Sequence, residues 1–298
     1  MSIADWLRPP RRTPPFGGVN GSVHSAGAEP AERPDSAERN ESSVHDATGE
    51  ALDRRATWFE IGIVLVVTFG LSGLNSMLSL VEDALQAGGL SDQTVALNQS
   101  RSTFSLIDLL FQLLSILRLA GWAALGLYLL WRSGIGPAAI GLARKQLRRD
   151  LLPGLVLAAV IGLPGLAFYL IAHALGMNLT VQASALGDHW WRVPVLILAA
   201  LANAAAEEIL VVGYLVTRLR GLGWSENKSL AASALLRGSY HLYQGLGGGL
   251  GNMAMGVVFG RYWQVSNRLW PLIIAHALID IVAFVGYTLL REHVGWLP

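Results

Sequence analysis

The sequence predicts an all-α polytopic integral membrane protein, about seven transmembrane helices preceded by a disordered tail. Two observations lead there: the balance of residues and the spacing of apolar runs. Of 298 residues, 52% are hydrophobic and 14% charged, with mean hydropathy +0.43, too apolar for an ordinary water-soluble domain. The charge is also uneven. Residues 1–55 hold 16 of the 43 Lys, Arg, Asp and Glu side chains, so the remainder of the chain is almost bare of charge.

The tail, Met1 to about Arg55, contains six prolines and interleaved charges with few aliphatics. Such a segment cannot bury enough surface to offset its ordering entropy, so disorder is expected. Met1–Gly18 lacks a continuous apolar stretch and a small-residue cleavage site, which argues against a secretory signal. Seven runs that could cross a hydrocarbon core of about 30 Å follow, near 58–81, 104–131, 151–175, 193–217, 229–244, 250–266 and 269–290. The fifth and sixth are short. Between them lies the glycine-rich run Gly245–Gly251, expected to be a tight interhelical turn or a hinge in a re-entrant pair. No Gly-Lys-Ser/Thr follows it, as a phosphate cradle would need.

Basic residues beside the spans set the orientation. With the N-terminus cytoplasmic, twelve Lys/Arg flank the inner ends (Arg54, Arg55, Arg132, Arg144, Lys145, Arg148, Arg149, Arg218, Arg220, Lys228, Arg261 and Arg268) and three the outer ends (Arg101, Arg192 and Arg291). The net charge of +1 supplies no basic field for nucleic acid. The absence of cysteine excludes disulfides, thiolate metal sites and a cysteine nucleophile.

Ionisable residues inside spans are costly and mark function by default. The clearest are Glu207, Glu208, Arg237, His241, His276 and Asp280. Asp108 is read as near enough to a span end to reach water, and Arg118 as part of a structural ion pair. His173 and His189 are read as interfacial. At about 1.5 Å of rise per residue, Glu207, His241, His276 and Asp280 all lie about 12–20 Å from the inner face, and His276 and Asp280, spaced i,i+4, share one face of their helix. This layer has the groups that hydrolysis requires: a desolvated glutamate to take a proton from water, a histidine to pass it to a leaving amine, and donors for an oxyanion. Two histidines and a carboxylate would also suit a catalytic zinc. Ser239, two residues from His241, does not face it on a helix, which weakens a serine mechanism.

These residues resemble the CAAX protease and bacteriocin-processing (Abi) family of intramembrane endopeptidases, which includes the type II CAAX prenyl endopeptidases. Three family signatures, Glu-Glu-x-x-x-Arg, Phe-x-x-x-His and His-x-x-x-Asn/Asp, correspond to Glu207-Glu208 through Val212, Arg237 through His241, and His276 through Asp280, within about residues 193–290. The resemblance implies an all-helical membrane fold and an endopeptidase acting on a peptide or protein substrate at the membrane of a bacterial cell. In that pattern Glu207 and His241 activate water, His276 and the residue at 280 stabilise the oxyanion, and Glu208 supports the structure. No cofactor is required, with zinc as an open variant. Prenyl binding is not visible in the sequence.

Two positions depart from the pattern: Val212 replaces the motif arginine and Arg237 the motif phenylalanine. Asp280 stands where many members carry Asn. Ionised, it would repel an oxyanion, so it must be protonated, orient His276 or bind metal. The first two departures read as one compensated change, because Glu208 and Arg237 lie at nearly equal depth on adjacent spans. An interhelical Glu208–Arg237 ion pair is therefore expected, with Arg118 as the alternative partner. A catalytically silent scaffold or immunity-type protein of the same fold is the competing expectation. A proton or ion transporter is a third, and no internal repeat of the kind common in transporters is visible.

Overall fold

The computed structural model describes residues 36–143 and 147–290. The expectations for residues 1–35, and for Arg144, Lys145 and Arg291, lie outside that range. The chain divides into two compact units, residues 1–63 and 64–298. The described part of the first is helical, belonging to α1 (Ser36–Val67). Residues 36–55, expected to be disordered, are thus helical: all six tail prolines precede Ser36, and Ala, Glu, Arg and Leu, good helix formers, are frequent beyond it.

The second unit holds α2 (Phe69–Leu85), α3 (Ser105–Arg132), α4 (Leu147–Ala174), α5 (Arg192–Glu207) running through a π-helical segment (Glu208–Tyr214) into α6 (Leu215–Gly221), then α7 (Glu226–Ser239), α8 (Leu246–Ser266) and α9 (Trp270–Leu290). Two three-residue strands, β1 (Thr94–Ala96) and β2 (Thr180–Gln182), pair in parallel between the α2–α3 and α4–α5 connections.

Among the described residues, four helical stretches are long and apolar enough to cross a membrane: Ser105–Arg132, Leu147–Ala174, Arg192–Gly221 and Trp270–Leu290. Leu52–Val67 and Phe69–Leu85 make a fifth if the pair is one span. This corrects the expectation of seven. The fifth predicted run ends early, because α7 has 14 residues, about 21 Å of helix. The sixth lies in α8, whose 21 residues include six glycines, Asn252, Arg261 and Gln264, too polar a composition for a span.

Arg192–Gly221 is the structural centre, with 61% of its apolar window buried against 17% and 11% for α3 and α4. Its alanine-rich middle lets neighbours come close, and Leu196, Ala200 and Ala204 are fully buried. Gly126 of α3 sits against the π segment, where an added Cβ would lie 2.9 Å from Leu210 Cδ2. The π turn changes the carbonyl pattern, and Ser233 of α7 donates its hydroxyl to Val211 O at 2.7 Å.

The α7–α8 hairpin is built on glycine. A Cβ at Gly238 would lie 2.9 Å from Gly249 O and 3.0 Å from Met253 Cβ, and one at Gly256 would lie 3.0 Å from Ala234 Cα. The turn passes through Gly245 at φ 108°. The loop after α4 holds it: Leu246 N donates to Met177 O at 2.9 Å and Gly248 N to Asn178 Oδ1 at 2.9 Å. The glycine run is therefore the turn and first turns of a helix of a close-packed hairpin.

Asp108 is buried rather than reaching water. It accepts from Ser100 Oγ and Arg101 N, each at 2.9 Å, and from Gln112 Nε2 at 3.1 Å, so the loop before α3 replaces its hydration. Asp150, also fully buried, is paired with Arg268 at the start of α4.

The hairpin yields a paired prediction. Gly238→Ala forces a methyl against backbone and should destabilise the protein by about 1–3 kcal/mol, the usual range for overpacking. Gly121→Ala, where nothing lies within 4 Å of an added Cβ, should be neutral or stabilise by up to about 1 kcal/mol. Thermal unfolding of the two variants in one detergent checks the difference.

Candidate active site

The site is made where the central span changes from α to π geometry. Glu207 is the last residue of α5 and Glu208 the first of the π segment, so two adjacent carboxylates are carried on an already buried backbone, 2% and 0% exposed. Burying two carboxylates side by side is affordable only with cations and hydrogen-bond donors around them.

Arg237 of α7 supplies the cation. Its Nη2 donates to Glu208 Oε1 at 2.7 Å, and its Nη1 lies 3.6 Å from Glu207 Oε2. The guanidinium is fully buried, with its carbon 5.8 Å from the centre of the Phe259 ring of α8. The interhelical pair expected from the sequence is therefore present. Arg118, the alternative partner, lies over Trp122 at 5.5 Å instead of in the ion pair expected for it.

His276 of α9 completes the hold on Glu208, its Nδ1 standing 2.8 Å from the same Oε1. Its Nε2 faces Asp280 Oδ2 at 3.6 Å, a charge contact too long for a hydrogen bond. Asp280 Oδ2 in turn accepts from Asn203 Nδ2 of α5 at 3.0 Å. Of the three roles open to Asp280, this arrangement matches orientation of the His276 ring.

Glu207 is held differently. The Tyr240 hydroxyl donates to its Oε2 at 2.7 Å, and among the described residues no group donates to Oε1. Tyr240 is itself fixed from α2: its ring stacks on Phe69 at 4.7 Å, and its carbonyl accepts from Ser76 Oγ at 3.1 Å. His241 follows just past the end of α7, and its Nδ1 is 3.0 Å from Arg237 O. A carbonyl only accepts, so Nδ1 carries the proton and the Nε2 lone pair of the neutral ring is left for chemistry.

The structure thus joins Glu207, Glu208, Arg237, His276 and Asp280 in one network, with His241 attached through the backbone of Arg237. Two members escaped the sequence reading. Asn203 sits one helical turn before Glu207, a lone amide in an apolar span. Tyr240 adjoins His241 and carries no charge that would single it out. His173 and His189 stand apart from this network, with Nε2 of the first 3.0 Å from Thr180 Oγ1 and the second stacked on Trp191. Among the described residues no group of three or more His, Asp or Glu side chains is arranged to hold a metal ion; the donors are turned toward Arg237, Tyr240 and Asn203.

Residues 189–282 match the family model described as type II CAAX prenyl endopeptidase Rce1-like. The matched segment, about a third of the chain, is similar to that CAAX protease family. It runs from the loop before α5 into α9 and contains every residue of the network, so the CAAX-protease segment and the polar centre of the fold coincide. The match suggests a protease-type enzyme, and the apolar helices suggest an integral membrane protein. No curated protein and no solved structure matches the chain.

The ion pair can be tested apart from any activity. Arg237→Leu strands Glu208 in a dry interior and should cost about 3–5 kcal/mol, the usual penalty for removing one member of a buried pair. Glu208→Gln combined with Arg237→Leu should lose much less than the two single changes added together. Unfolding midpoints of the three variants form the cycle.

Proposed function

We propose that the chain is an intramembrane endopeptidase in which Glu207 activates the attacking water. The observation that carries this reading is the unequal treatment of two adjacent carboxylates. Glu208 Oε1 is bound by both Arg237 and His276 and its Oε2 is sealed in the interior, whereas Glu207 is held at hydrogen-bond distance by the Tyr240 hydroxyl alone. A glutamate held by one hydroxyl is suited to take a proton from water.

In this mechanism a water beside Glu207 Oε1 gives up a proton as its oxygen adds to the scissile carbonyl carbon. The neutral His241 Nε2 shares that proton and delivers it to the amine as the carbon–nitrogen bond breaks. The oxyanion formed in between takes a hydrogen bond from His276 Nε2–H, the ring being held from behind by Glu208 at Nδ1 and flanked at Nε2 by Asp280, which Asn203 fixes, while Arg237 offsets the charge shifting near Glu207. Tyr240 acts by holding Glu207 in place.

The N-terminus is assigned to the cytoplasm. Because α7 and α8 form one hairpin, the loops at 222–225 and 267–269 lie on one side, so the excess of basic residues on the inner side keeps its direction. The substrate is a peptide or protein segment presented at the membrane.

Comparing the protein termini of membranes carrying the wild type or Glu207→Gln tests the activity. The expected result is one or more new termini that only the wild type generates. Glu207→Gln, His241→Ala and His276→Ala should each abolish them while leaving insertion intact, because groups that act as a unit lose most of the rate singly. Undiminished termini with Glu207→Gln would remove the mechanism. Cleavage should also persist in membranes stripped with a chelator. Loss on stripping, with recovery on adding Zn²⁺, would mean that a metal supplies the nucleophile.

A further inference from the structure

Arg118 is left outside the network, yet it lies near the middle of α3 and is exposed. A guanidinium that deep is costly unless something anionic or aqueous meets it, and it is about 20 Å of helix from either end, beyond snorkelling range of an interface. It does not stand alone. Phe111, Ser115, Arg118 and Trp122, spaced i, i+4, i+7 and i+11, share one face of α3. At the outer end of this face, Arg101 lies 5.3 Å over the Phe111 ring and donates to Ser115 Oγ at 3.3 Å. At its inner end, Trp122 carries Arg118 and meets Phe69 edge-on at 5.0 Å, and Phe69 stacks on Tyr240, which holds Glu207.

Two cations seated on aromatic rings thus mark a path from the outer loop to mid-span, and a chain of ring contacts continues from there to the reactive carboxylate. We propose that this face of α3 binds an acidic peptide segment of the substrate, with Arg118 pairing a substrate carboxylate over Trp122. The proposal rests on the protease reading, and charge complementarity identifies the occupant: an apolar segment with one carboxylate would bury its length on the face and neutralise the guanidinium. The ring contacts span less than about six residues of extended chain, so the scissile bond lies within about that distance of the acidic group.

The test reads binding rather than turnover. Full-length Glu207→Gln protein in phosphatidylcholine nanodiscs is offered a degenerate library of acetylated apolar decapeptides ending in either a free carboxylate or a carboxamide, and retained peptides are quantified by mass spectrometry. The carboxylate set should be retained at least tenfold better. Arg118→Gln in the same background should erase that preference, and Arg118→Lys should keep part of it. Equal retention of the two sets, or a preference that survives Arg118→Gln, would overturn the proposal. So would Arg118-dependent enrichment of phosphatidylglycerol in mixed-lipid discs that abolishes the peptide preference, since the face would then belong to lipid. Failure of the protease reading would appear separately, as termini that persist with Glu207→Gln.

Discussion

The Glu208–Arg237 ion pair is the contact on which the rest of the site depends. Both side chains are fully buried, so neither charge is tolerable without the other, and their union fixes α7 against the central span. It also settles a chemical question. Two neighbouring glutamates would compete for protons and donors; here one is bound by a guanidinium and an imidazole and the other by a tyrosine hydroxyl, with the guanidinium at a longer 3.6 Å. In the proposed mechanism a structural carboxylate and a reactive one arise from adjacent residues because their surroundings differ.

Backbone geometry makes that difference possible. Consecutive residues on a regular α-helix point about 100° apart, and the change to π geometry at Glu208 occurs between the two carboxylates, where such turns often serve functional sites. The rearranged carbonyls are partly satisfied by Ser233. Arg237 can reach because Gly238 and Gly256 let α7 and α8 pack with almost nothing between them. A buried polar network of this kind is costly where its members lack partners; Tyr240 and Asn203 add donors to it, while Glu208 Oε2 and the Arg237 Nε and Nη1 atoms make no hydrogen bond.

The helical class and the polar layer were legible because both follow from one-dimensional quantities, apolar run length and residue count from a basic marker. The Glu208–Arg237 pair was legible for the same reason, as two departures from one pattern at matching depth. Span number was not, since a run of apolar residues does not reveal that α7 stops after Ser239 or that glycines make α8 a packing surface. The helix over residues 36–55 was hidden by prolines that all lie before it. Asp108 was misjudged because its partners come from a loop whose path no periodicity encodes. Tyr240 and Asn203 were missed because their value lies in what they touch across the fold, and the π turn has no sequence signature to be read.

The unequal roles of the two glutamates can be measured without knowing the substrate, by comparing the unfolding midpoints of Glu207→Gln and Glu208→Gln under identical conditions. Gln at 207 still accepts from Tyr240, so its midpoint should stay near that of the wild type. Gln at 208 leaves the buried Arg237 with only the longer contact to Glu207, and its midpoint should fall by roughly 10 °C. Equal midpoints, or a larger fall for Glu207→Gln, would contradict the assignment of Glu208 to structure and Glu207 to chemistry.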